Sequence, residues 1–66
     1  MSSANSTNSA KYRVEYWANG ELEESIFKFN SLAPTLIFAD ELVHKFATSA
    51  VVIEKSTDRT VYFTRA

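Results

Sequence analysis

Apolar residues in this chain recur with two different periods, and the change of period marks the elements. From Lys11 to Trp17 they alternate with polar ones: Tyr12, Val14 and Tyr16 interleave with Lys11, Arg13 and Glu15. Period two places successive side chains on opposite faces of a strand. Asn19-Gly20 follows, a pair suited to a type I′ turn because both of its central positions take φ > 0. Leu22–Phe29 then reads as the return strand of a β-hairpin. A two-residue loop pairs Ala18 with Glu21, Trp17 with Leu22, Val14 with Ser25 and Tyr12 with Phe27. In that register Tyr12, Val14, Tyr16, Phe27 and Phe29 share one face. Lys11, Arg13, Glu15, Trp17, Leu22, Glu24, Ile26 and Lys28 share the other.

The spacing lengthens between Leu32 and Ala50. At about 100° per residue, Leu32, Leu36, Ala39, Val43, Phe46, Ala47 and Ala50 fall on one stripe of an amphipathic helix, opposite Asp40, Glu41, His44 and Lys45. Ser31 has the chemistry of an N-cap, and Pro34 sits in the first turn, where its missing N–H costs nothing. Glu41 and Lys45 have the spacing of a helical ion pair. Phe38 and Leu42 widen the buried face. Ile37 and Phe38 together are also a secondary candidate surface for another chain.

Past the helix, Val51–Lys55 and Thr60–Arg65 are β-branched and aromatic runs around a turn-like Ser56-Thr57-Asp58-Arg59. Val51, Ile53, Val61 and Phe63 are assigned inward, and Val52, Glu54, Tyr62 and Thr64 outward. That phase requires an odd loop or a β-bulge. The element order is ββαββ. The expected fold is α+β: a four-stranded antiparallel sheet with one helix packed across one face, spanning residues 11–66 as a single domain. Residues 1–10, made of Met, Ser, Asn, Ala and Thr, are expected to form a disordered tail. They have neither the basic nor the apolar region of a secretory signal, and Asn5-Ser6-Thr7 is read as a chance sequon.

Composition narrows the function. The 66 residues carry a formal net charge of −1, which supplies no electrostatic footprint for a nucleic-acid backbone or an anionic membrane. No apolar run approaches the roughly 20 residues of a membrane span. There is no cysteine, hence no disulfide or thiolate metal site, and a cytoplasmic setting is expected. His44 is the sole histidine and Gly20 the sole glycine, which removes a multi-His metal centre and a Gly-rich phosphate loop. Adjacent Glu23 and Glu24 point to opposite faces of a strand. Glu15 and Glu24 face each other on an open sheet, without the cleft that a catalytic acid needs. Neither enzymatic chemistry nor a cofactor or metal is expected.

What remains is the sheet face that one helix leaves uncovered. The expected register places Trp17, Leu22, Ile26, Val52 and Tyr62 there, among Arg13, Lys28, Glu15, Glu24 and Glu54. Trp, Tyr and Arg are common interface anchors. Arg13, Trp17, Leu22, Ile26, Lys28 and Tyr62 are therefore the candidate partner-binding residues. The expected function is that of a small non-enzymatic accessory or modulator protein, of the kind phages encode. It would bind another protein, itself or both, and the small core favours a homodimer. The alternative is a single-stranded nucleic-acid binder that stacks bases on Trp17 and Tyr62, with Lys11, Arg13 and Lys28 on phosphates. Glu15, Glu24 and Glu54 weigh against it.

Overall fold

The computed structural model describes residues 10–66, so the tail expected over residues 1–10 lies outside the described residues except for Ala10. The elements are β1 (Tyr12–Ala18), β2 (Glu21–Glu24), α1 (Leu32–Lys45), β3 (Ser49–Glu54) and β4 (Arg59–Arg65). The four strands form one antiparallel sheet in the order β2-β1-β3-β4, and α1 packs across one face. This is the ββαββ α+β architecture that the pattern predicts. Because α1 carries the chain from β2 to β3, both central strands, β1 and β3, are flanked on each side. No described helix is long and apolar enough to cross a membrane.

The first hairpin begins in the expected register, with Ala18 opposite Glu21 and Trp17 opposite Leu22. Asn19 and Gly20 take φ of 57° and 80°, as a type I′ turn requires. Pairing continues through Glu15 and Glu24, and the Ser25 N–H still donates to the Val14 carbonyl at 2.9 Å. The return strand then departs from the expectation. The Ser25 Oγ accepts the N–H of Phe27 at 3.0 Å, a local bond that competes with the ladder. Pairing resumes at Tyr12 with Phe29, not with Phe27. The two-residue slip preserves the alternation of faces, so Phe29 reaches the helix side. Phe38 on α1 then lies between two rings, 5.1 Å from Phe29 and 5.8 Å from Phe27.

The helix ends at Lys45, five residues short of the expected Ala50. Phe46 is its C-cap, with its N–H on the Leu42 carbonyl, and Ser49 already belongs to β3. Helical spacing could not reveal this end, because Ala47 and Ala50 fit either period. The buried stripe is also rotated, centred on Thr35 and Ala39 with Leu36, Phe38, Leu42 and Val43 around them. Thr35 tolerates burial because its hydroxyl donates to the Ser31 carbonyl at 2.6 Å. Ser31 stands at the N-cap in extended conformation, but its side chain makes no capping bond. Glu41–Lys45 is not among the ion pairs of the described residues.

The phase of β3 and β4 is opposite to the expectation. β1 pairs with β3 so that Val14 faces Val52, Tyr16 faces Ala50 and Tyr12 faces Glu54. Directly opposed residues share a face. The core is therefore Val14, Ala39, Ala50 and Val52, with Tyr62 packed against it. Val51, Ile53 and Phe63 belong to the other side, and Glu54 belongs to the helix side. The expected bulge is present: Val52 pairs with Tyr62 and Ile53 with Thr60, so Val61 is the extra residue on β4. Three apolar residues in a row in each strand, Val51-Val52-Ile53 and Val61-Tyr62-Phe63, carry no phase of their own. The partner strand supplies it.

Candidate functional site

The helix-free face is laid out by the ladder in rows across the strands. One row runs Leu22, Trp17, Ser49, Arg65, and the next runs Glu24, Glu15, Val51, Phe63. Arg13, Ile53 and Thr60 form a third. Within this grid the apolar residues make a continuous diagonal. Leu22 pairs with Trp17, Trp17 lies diagonal to Val51, and Val51 pairs with Phe63. Trp17 is 47% exposed, Leu22 51% and Phe63 55%, so the diagonal meets solvent. Ile53 beside it is buried although no described helix covers it, because it sits on a central strand between Arg13 and Thr60.

The expected candidates divide accordingly. Arg13, Trp17 and Leu22 lie on this face. Tyr62 does not: its hydroxyl donates to the Asp40 carboxylate on α1 at 2.9 Å, which joins the helix to the sheet on the opposite side. That hydrogen bond is the first cause of a raised Tyr62 pKa, because it is lost on deprotonation; desolvation and the charge of Asp40 act in the same direction. Val52 is buried in the core. Ile26 is 84% exposed at the excursion that interrupts β2, and Lys28 there holds Glu24 through a 3.3 Å ion pair. The secondary pair is split, with Phe38 packed between aromatic rings and Ile37 exposed.

Val51, Ile53 and Phe63 are the face residues that sequence reasoning missed. The detectable signal lay in sizes and not in alternation. A helix packed on a sheet favours small residues beneath it, and Ala50 and Val52 are the smaller alternating set in β3.

Charges frame the diagonal unevenly. The Arg13 guanidinium is 3.3 Å from Glu15 and 3.0 Å from Asp58 in the β3–β4 turn. The bond to Asp58 is the largest cause of a raised Arg13 pKa; partial desolvation opposes it, and Glu15 adds to it. Arg13 is thus already engaged by two carboxylates. On the open face β2, at one edge, carries Glu24 and β4, at the other, carries Arg65, whereas Glu21, Glu23 and Arg59 pair with helix-side positions. Among the described residues no three His, Cys, Asp or Glu side chains converge as a metal site would require. Comparison with family models, curated proteins and solved structures finds no match.

Proposed function

We propose that this protein is a small accessory module that binds another protein chain through its open sheet face and acts by occupancy. The observation that carries this reading is the diagonal Leu22–Trp17–Val51–Phe63, exposed at Leu22, Trp17 and Phe63 and half-buried at Val51. Monomeric domains expose single apolar residues freely, but a contiguous patch centred on Trp and rimmed by charge has the composition of an interface core. Arg13 and Lys28, each paired to carboxylates, sit at its margin. That pairing also supports a protein ligand over single-stranded nucleic acid, since a phosphate would have to displace Glu15, Asp58 or Glu24. The absence of cysteine fits action in a reducing, cytosolic setting, which is part of the same proposal.

The test compares truncation of the open face with truncation of the helix face. Trp17→Ala should remain folded by circular dichroism and lose about 2 kcal/mol or more of association, measured by sedimentation for self-association and by capture for another partner. Ile37→Ala should bind as wild type does. If Ile37→Ala lost binding and Trp17→Ala kept it, docking would belong to the helix.

A further inference from the structure

We propose that Asn19 is a self-modification site: the peptide nitrogen of Gly20 attacks its side-chain amide within the folded β1–β2 turn, and water opens the resulting succinimide to aspartate or isoaspartate. This chemistry goes beyond the docking role above and does not depend on it. Three features of the turn support it. Asn19 and Gly20 are both exposed, so solvent reaches the peptide and the side-chain amide. Among the described residues neither the Gly20 N–H nor the Asn19 side chain has a hydrogen-bond partner. A Cβ at Gly20 would meet nothing within 4 Å, so no neighbouring group obstructs the nitrogen.

The turn also has a route to the reactive geometry. Ring closure requires the Gly20 nitrogen to come into line with the Cβ of Asn19. The φ values of 57° and 80° belong to a type I′ turn, whose first central ψ, about +30°, holds the nitrogen away from Cβ. A flip of the Asn19–Gly20 peptide plane takes that ψ to about −120° and the φ of Gly20 to about −80°, the values of a type II′ turn. The substituents of Cα are about 120° apart, so the flipped nitrogen eclipses Cβ and lies beside the amide carbon. Gly20 accepts either sign of φ, and its N–H gives up no hydrogen bond in the flip. Both turns close the same two-residue loop, so Ala18 stays opposite Glu21 throughout. Type II′ disfavours a side chain at its first central position, which keeps this conformer minor and the reaction slow.

The step consumes one water and releases one ammonia. The Gly20 nitrogen bonds to Cγ of Asn19, its proton passes to hydroxide, and the Cγ–Nδ2 bond breaks as water returns a proton to the departing ammonia. Water then adds to one of the two imide carbonyls. Addition at Cγ restores the chain as aspartate, and Asp-Gly still suits type I′. Addition at the main-chain carbonyl leaves isoaspartate, whose backbone runs through the side chain and is one carbon longer. The two-residue turn then no longer fits, and the pairing of Trp17 with Leu22 is lost. Either product places a new negative charge two residues from Glu21.

The test ages the full chain at neutral and mildly alkaline pH and follows Asn19 by peptide mass, with isoaspartate marked by isoaspartyl methyltransferase. Asn19 should convert in the folded protein, at a rate proportional to hydroxide. The rate should be unchanged when sucrose, an excluded osmolyte, depopulates the unfolded chain. Asn19→Gln, whose ring would be one atom larger, should react at least about 100-fold more slowly. Asn19→Gly, which keeps a turn-forming pair and has no amide, should show no mass change in this peptide. The isolated isoaspartate form should melt below the isolated aspartate form. An Asn19 that stays intact in the folded chain, or a rate that falls with the unfolded fraction in sucrose, would overturn the proposal. Equal melting of the two products would overturn the loss of the turn.

Discussion

The two faces of one sheet are built on opposite rules. Under α1 the side chains are small: Val14, Ala39, Ala50 and Val52 are almost wholly buried, with Tyr12, Tyr16, Phe29, Leu36, Phe38, Leu42, Val43 and Tyr62 closing around them. On the open face the side chains are large and half exposed, with Trp17, Leu22 and Phe63 at their centre. A single helix can cover one side, and close approach of helix to sheet requires small residues beneath it. Trp17, Leu22 and Phe63 stand on the side that no described element covers. Apolar content alone therefore does not identify the core of this domain; residue size and strand pairing do.

The sharpest way to break that comparison is to place a charge on each face in turn. Val52→Asp puts an unpaired carboxylate into the core beside Val14 and Ala39. Isolated buried charges cost several kcal/mol, against a total stability of about 5–15 kcal/mol for small domains, so this variant should be unfolded at room temperature by circular dichroism. Phe63→Asp, on the other face, should retain a cooperative thermal transition. Equal damage from both would mean that the open face is part of the folding core.

Next in size is the turn that aligns β2 with β1 and so assigns Trp17 and Leu22 to one face. A Cβ at Gly20 would meet nothing within 4 Å, so the cost of a substitution there is the φ of 80° alone. Gly20→Val should destabilise by about 1–2 kcal/mol in chemical denaturation. A variant as stable as wild type would show that another turn can close the hairpin.

Phe46 sharpens the boundary between covered and open surface. Helical spacing predicts burial, for which truncation would cost about 3–5 kcal/mol. Its ring is instead 57% exposed at the end of α1 and meets Tyr16 edge-on at 5.5 Å. Phe46→Ala should therefore cost about 1 kcal/mol in the same denaturation assay. A loss near the buried value would place the C-terminal turn of the helix in the core.

The smallest effect concerns the tie between helix and sheet. The folded pKa of Tyr62 is raised, so its contribution is fully present below the ordinary tyrosine range near 10 and is lost as pH climbs through the higher folded value. Tyr62→Phe should show a shallower alkaline loss of stability than wild type, measured as melting temperature from neutral pH upward. Parallel curves would remove the Asp40 bond as the cause.

Much of this was legible in the residues. Alternation from Tyr12 to Tyr16, the Asn19-Gly20 turn, the single helix beginning at Leu32 and two later β-rich runs define ββαββ through local rules of period, turn chemistry and propensity. The same rules assign Trp17 and Leu22 to the uncovered side, because β1 alternates cleanly between apolar and polar residues.

Three things were settled by distant parts of the chain. The phase of β3 came from its pairing with β1, Val14 against Val52, since an uninterrupted apolar run has no amphipathic signal to read. The two-residue excursion at Ile26-Phe27 came with the gathering of Phe27 and Phe29 around Phe38, a contact between hairpin and helix that spacing within the hairpin cannot express. The end of α1 at Lys45 came from Ser49 and Ala50 entering the sheet, where ladder bonds to β1 and β4 outweigh the helical preference of Ala47 and Ala50. Each depends on atoms far apart in the chain, whereas period, turn chemistry and propensity act between neighbours. For that reason the elements could be read from the residues in order, and the open face gained Val51 and Phe63 and lost Tyr62 only when the strands met.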